Sequence, residues 1–141
     1  MGKRVELDVF IGLMRAYNQF KNLIEQDLEP YHLQVTEFSV LELLYSKGRQ
    51  NVHSICQKVL IANSSITYVI KRLEKRGLVT REKCEKDRRI HYIELTAGGR
   101  QLMNEIFPEH LTLIRSIFDQ LTDEELQQFK RFLKLLTQMN D

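Results

Sequence analysis

Residues 63–76 read Asn-Ser-Ser-Ile-Thr-Tyr-Val-Ile-Lys-Arg-Leu-Glu-Lys-Arg and close on Gly77. Ile66, Val69, Ile70 and Leu73 recur at i, i+3, i+4 and i+7, so at about 100° per residue they share one face of a helix and predict its burial. The opposite face gathers Ser64, Thr67, Tyr68, Lys71, Arg72 and Lys75, hydroxyls first and cations after, with no carboxylate between them. Asn63 is a good N-cap, Gly77 suits the left-handed position past a helix end, and the basic last turn complements the negative end of the helix dipole.

Just before this helix, residues 52–59 predict a short helix with Val52, Ile55, Cys56 and Val59 on one face, joined to it by a tight connection at 60–62. Two short helices meeting at a turn, the second basic, make a helix-turn-helix. On the far side, residues 78–84 and 90–95 alternate and are β-branched, separated by Glu-Lys-Asp-Arg-Arg at 85–89, which predicts a hairpin with a charged tip: a wing. Hydroxyls near a helix N-terminus with Arg and Lys behind them are what a major-groove helix presents to base edges and phosphates.

The charge distribution agrees. The chain of 141 residues carries a formal net charge of +2, yet residues 71–89 hold nine Lys or Arg against four Asp or Glu, a local +5 that leaves −3 for everything else. Concentrated positive charge in a nearly neutral protein marks a polyanion site. Apolar residues at 43% and charged residues at 28% describe a globular protein of about one domain. No apolar run approaches the roughly 20 residues needed to span a bilayer and no signal peptide is evident, so a cytoplasmic protein with no membrane partner is expected.

Before the helix-turn-helix, residues 5–29 predict a long helix with wide apolar coverage, stopped by Pro30. A second helix follows over 36–46, capped by Thr36 with Glu37 in its first turn and Gly48 past its end; Phe38, Val40, Leu41, Leu43, Leu44 and Tyr45 make it central. After the wing, Thr96 caps a helix whose apolar residues run from Leu102 to Leu121, kinked or broken near Phe107 by Pro108. Thr122-Asp-Glu-Glu125 has capping-box spacing and opens a last helix. Gly98-Gly99 lies in a helix start and signals little.

The order of these elements resembles the MarR family of bacterial transcription regulators. The string Ser-Ser-Ile-Thr-Tyr-Val-Ile-Lys-Arg-Leu-Glu-Lys-Arg-Gly-Leu-Val and the later Asp87-Arg-Arg and Leu95-Thr-Ala-Gly-Gly resemble it too. The resemblance implies a mainly α, winged helix-turn-helix fold: one domain over 1–141, with dimerisation helices at about 5–29 and 97–138 and the winged lobe at about 36–95. It implies a homodimeric repressor that binds double-stranded DNA at a pseudo-palindromic operator and is released by a small-molecule or redox signal. Ser64, Ser65, Thr67, Tyr68, Lys71 and Arg72 become groove and phosphate contacts, and Arg88 and Arg89 become wing contacts, Arg89 in the minor groove. Asp87, repelled by phosphate, is expected to hold a neighbouring arginine in position. Small aromatic or phenolic effectors are common in the family, and Tyr17, Tyr31, His32 and Tyr45 are the residues to line their pocket.

Cys84, beside Lys83 and Lys86, is the candidate redox residue, whereas Cys56 reads as packing. His32, His53, His91 and His110 are scattered without ligand spacing, so no metal and no cofactor is expected. No catalytic constellation appears, which argues against an enzyme. The rival function is a winged-helix interaction module whose basic face meets an acidic protein.

Overall fold

The computed structural model describes residues 4–59 and 63–138, Asn63 and Ser64 by their backbone alone. The connection expected at 60–62, the cap expected from Asn63 and the side chain of Ser64 therefore lie outside the described residues. Among the described residues six helices and three strands follow in the order α1 (Val5–Leu28), α2 (Val35–Lys47), β1 (Gln50–Asn51), α3 (Val52–Lys58), α4 (Asn63–Lys75), β2 (Val79–Lys83), β3 (His91–Leu95), α5 (Ala97–Ile117) and α6 (Asp123–Gln138). A single 3-10 turn, Glu29–Tyr31, ends α1 and takes Pro30 in its first positions, where a missing N–H costs nothing. Contacts divide the chain into two compact units, 1–105 and 106–141.

The core of the first unit is the one the apolar spacing implies. Phe38, Val40, Leu41, Leu43 and Leu44 of α2 are buried, as are Ile55 of α3 and the whole inner face of α4, Ile66, Val69, Ile70 and Leu73. The cap of α2 differs from the expectation. Gln34, not Thr36, is the N-cap: its side chain accepts from the backbone of Glu37, and its own backbone N–H donates to Glu37 Oε1 at 2.9 Å. A reciprocal capping box formed by Gln and Glu satisfies two helix-start N–H groups at once, which a lone Thr36 one residue into the helix cannot do.

The sheet is antiparallel in the order β1-β3-β2, with Gln50 opposite Ile93 and Val79 opposite Leu95. The hairpin is the expected one; the two-residue β1 is an addition, because only its pairing to β3 makes it a strand. Gly77 leaves α4 at φ +74°, and the N–H of Leu78 reaches back to the carbonyl of Leu73 at 3.0 Å, a Schellman closure that turns the chain straight into β2.

A single hydroxyl then fastens α5 to that corner. Thr96 Oγ1 donates to the Gly77 carbonyl at 2.6 Å and accepts from the N–H of Gly99 at 2.9 Å, so the expected cap of α5 is also its anchor. Gly99 passes so close to the chain entering β2 that a Cβ built on it would run into the carbonyl of Leu78. The Gly98-Gly99 pair thus carries a packing requirement that its local context does not announce.

Helix α5 runs without a break through Pro108, whereas a break near Phe107 is one of the two outcomes the sequence predicts. One missing N–H removes one rung of the ladder, and the flanking rungs hold. In the second unit, the Thr122 cap of α6 forms as expected, with Glu125 N–H donating to Thr122 Oγ1 at 3.1 Å and Thr122 N–H to Glu125 Oε1 at 2.9 Å. These bonds hold the Glu125 carboxyl below the usual carboxylate range.

Each unit leaves an apolar helix face uncovered. On α1, Val5, Val9, Phe10 and Met14 are exposed, Phe10 by 60%, and Leu28 is the one buried residue of the helix. On α6, Phe132, Leu133, Leu135 and Leu136 are exposed. Among the described residues no helix is long and apolar enough to cross a membrane.

Candidate nucleic-acid interface

The outer face of α4 is exposed from Ser65 through Thr67 and Tyr68 to Lys71 and Lys75, with Tyr68 open over 59% of its surface. Its inner face is held by the apolar core, so the helix cannot roll without exposing Ile66 and Ile70. The one carboxylate of α4, Glu74, is turned away and paired to Arg81 of β2 at 3.2 Å, a half-buried bridge that fixes the wing against the helix. Tyr68, Lys71, Arg72, Lys75 and Arg76 line a shallow depression of about 530 Å³ on this face.

Arg72 lies at the edge between this face and the protein behind it. Its Nε stands 3.5 Å from Oε2 of Glu37, a fully buried carboxylate, and its NH1 donates to the Tyr68 hydroxyl at 3.3 Å. The hydrogen bond to Tyr68 first, and the charge of Glu37 second, raise the guanidinium pKa above its already high value. Sequence reading places Arg72 on the outer face but has no signal for Glu37, which is 35 positions away and looks like an ordinary first-turn acid. Arg76, one turn on, donates to the carbonyls of Tyr31 and His32 at 3.0 and 2.9 Å, tying the end of α4 to the turn that follows α1. His32 accepts that role in the left-handed region at φ +54°.

At the wing tip, Asp87 grips Arg89 in two parallel bonds of 3.0 Å, Nε to Oδ1 and NH2 to Oδ2, and also accepts the backbone N–H of Arg89. The paired guanidinium and that N–H hold the Asp87 carboxyl below the usual carboxylate range. The pair is solvent-exposed, the Arg89 side chain by 91%, so it adds little stability; its effect is to fix a direction for the planar fork. Arg88 is exposed beside it.

The remaining candidates are dispersed. His32 lines a polar cleft of about 610 Å³ with Glu25, Glu29, Gln34 and Arg72. The other expected pocket residues do not line it: Tyr17 is exposed on α1, Tyr31 gives its carbonyl to Arg76, and Tyr45 donates its hydroxyl to Asn104 at 2.7 Å. Cys84 is half-buried where the wing begins, its N–H donating to the Ile90 carbonyl at 2.8 Å, and Cys56 is half-buried on α3. His53 and His91 line a recess of about 380 Å³ with Arg81 and Arg89.

Comparison with known proteins agrees with this geometry. The MarR family model matches residues 33–91, the span from the start of α2 to the wing. The HTH-type transcriptional regulator MhqR of Bacillus subtilis (strain 168) is 39% identical over 128 residues, covering 91% of this chain and 88% of its own. Among solved structures, AbsC, a MarR family transcriptional regulator from Streptomyces coelicolor, superposes with a TM-score of 0.89 at 25% identity, over 99% of this chain and 96% of its own. BpsR of Bordetella bronchiseptica, whose DNA binding is regulated by 6-hydroxynicotinic acid, gives 0.79 at 28% identity over 95% and 99%. With its buried apolar stripe, its wing and near-full-length likeness to a regulator of this kind, the chain belongs to the MarR family of winged helix-turn-helix transcription regulators.

Proposed function

We propose that the chain is a homodimeric repressor that binds a pseudo-palindromic operator in the cytoplasm, without catalysis. The outer face of α4 enters the major groove, and the Arg88-Arg89 tip reaches the adjacent minor groove. The observation that carries this reading is the continuous exposed surface of hydroxyls and cations along α4, locked to a wing whose arginine is pre-aimed by Asp87. Ser65, Thr67, Tyr68 and Lys71 supply the groove contacts. Ser64, its side chain outside the described residues, joins them by its position in the motif.

The discriminating experiment is binding of the protein to its own upstream region and to single-base variants of the bound site. Arg89→Ala should weaken all variants, most where A·T-rich flanks narrow the minor groove, because a wing arginine senses groove shape more than base edges. Tyr68→Phe should instead change the ranking of variants at one or two positions per half-site. Indifference of the wild-type protein to duplex sequence would remove the operator reading and favour an acidic protein as partner.

The dimer in this proposal covers the apolar faces of α1 and α6, each exposed in the single chain. Unfolding is then coupled to dissociation, so the melting temperature should rise with protein concentration. A monomeric mass by light scattering at micromolar concentration, with a concentration-independent melt, would contradict the dimer. Release by a small aromatic acid is proposed by likeness to BpsR, with the cleft containing His32 and Arg72 as its place in the first unit. Its volume lies in the range of ordinary ligand sites.

A further inference from the structure

Glu37 is the one charged residue among the buried side chains described, and no DNA contact or catalytic step uses it. Oε1 is occupied by the capping bond from the Gln34 N–H, while Oε2 has no hydrogen-bond partner among the described residues and faces the Nε of Arg72 at 3.5 Å. A buried carboxylate with one acceptor oxygen unsatisfied is costly unless a cation stands close, so Glu37 holds the guanidinium in place more firmly than a solvated acid would. From there NH1 of Arg72 donates to the Tyr68 hydroxyl, with the guanidinium carbon 5.6 Å from the ring centroid.

The chemistry of a phenol then determines what Tyr68 offers to a partner. A hydroxyl that accepts from Arg72 keeps its own hydrogen to give and has one lone pair fewer to accept with, so outward it is biased toward donating. In the major groove guanine presents O6 and N7, adenine N7 and thymine O4 as acceptors, whereas cytosine presents an amino donor.

The geometry points to Glu37 as a positioning residue for operator readout: through Arg72 it holds the Tyr68 hydroxyl as a hydrogen-bond donor, so that Tyr68 selects an acceptor edge and rejects cytosine. This rests on the proposed function above. It extends it by naming a residue buried in α2 that touches no nucleic acid and by assigning the sense of one base preference.

The test is binding of the full-length protein to a panel of operator variants, each read beside its thermal melt. Glu37→Gln keeps the size and the capping acceptor but removes the charge. It should lower discrimination against cytosine at the Tyr68 position by about tenfold, the size of one lost base contact, while leaving the other positions ranked as before. Arg72→Lys keeps a cation beside Glu37 without a fork to reach Tyr68, and should lose discrimination at the same position even if Glu37→Gln folds poorly. Gln34→Ala weakens the α2 cap without touching the relay; it should lower the melt and leave the base ranking intact. Combining Glu37→Gln with Tyr68→Phe should cost no more discrimination than Tyr68→Phe alone.

If Tyr68→Phe loses the preference while Glu37→Gln and Arg72→Lys keep it, the positioning role is overturned and the operator reading stands. The positioning role is equally overturned if the Glu37 and Tyr68 losses add, or if Gln34→Ala reproduces the Glu37→Gln profile. If the wild-type protein ranks no operator variant above another, the operator reading itself has failed.

Discussion

Raising monovalent salt from about 50 to about 200 mM is expected to cut operator affinity by on the order of a thousandfold, the loss that follows when about six phosphates are neutralised by a bound protein. Lys71, Lys75 and Arg88 are exposed on the proposed interface, and two protomers present each of them twice. Arg89 and Arg72 already face carboxylates and release fewer counterions on binding. Replacing Lys75 by Ala should make the log–log salt slope shallower by about two, one cation per half-site, with the base ranking unchanged. Fluorescence anisotropy over a series of salt concentrations measures both quantities. A slope near zero would show that this surface does not meet phosphate.

The largest effect on stability is expected at a glycine. A Cβ on Gly99 would collide with the Leu78 carbonyl oxygen, approach its carbonyl carbon to 3.0 Å and the Leu95 side chain to 3.2 Å. Backbone cannot yield as a flexible side chain does, so Gly99→Ala should destabilise by about 3 kcal/mol or more, at the upper end of overpacking costs. Gly98 is the built-in control: a Cβ there meets the Gly77 carbonyl at an ordinary 3.6 Å. Gly98→Ala should be neutral or stabilising by up to about 1 kcal/mol, because alanine is the better helix former. Chemical denaturation of the two variants decides it, and equal midpoints would remove the claim that α5 is in backbone contact with Leu78, just before β2.

What the sequence disclosed, and what it withheld, divides along the range of the interactions. The spacing of Ile66, Val69, Ile70 and Leu73 identifies the inner face of α4 because helical periodicity lies within eight residues, and all four are buried. Thr96 and Thr122 are legible as caps for the same reason: a hydroxyl and its N–H partner are three residues apart. Gln34 escapes such a reading because glutamine is an uncommon cap and becomes one only through Glu37. The short strand β1, the clash awaiting any side chain at Gly99, the Glu37–Arg72 pair and the clasp of Arg76 on Tyr31 and His32 each depend on segments brought together from about 20 to 45 positions apart. A single sequence carries no periodic trace of such meetings. At the proposed interface, sequence alone identifies the exposed residues of α4 and the wing; it does not reveal that Arg72 and Arg89 are each already engaged by an acid.

The clasp made by Arg76 gives α1 a mechanical part in the molecule. With 24 residues this helix is about 36 Å long, close to the length of one turn of duplex DNA, and the turn that follows it is bonded by Arg76 to the end of α4. In the proposed function α1 is a lever arm with the DNA-contacting helix near its tip. A rotation of α1 of roughly 5° about its far end would carry that tip sideways by about 3 Å, nearly the rise of one base pair. In the proposed dimer, small angular changes at a distant point would be converted into a mismatch of register between two half-sites, so that a signal need not lie beside the DNA to reach it.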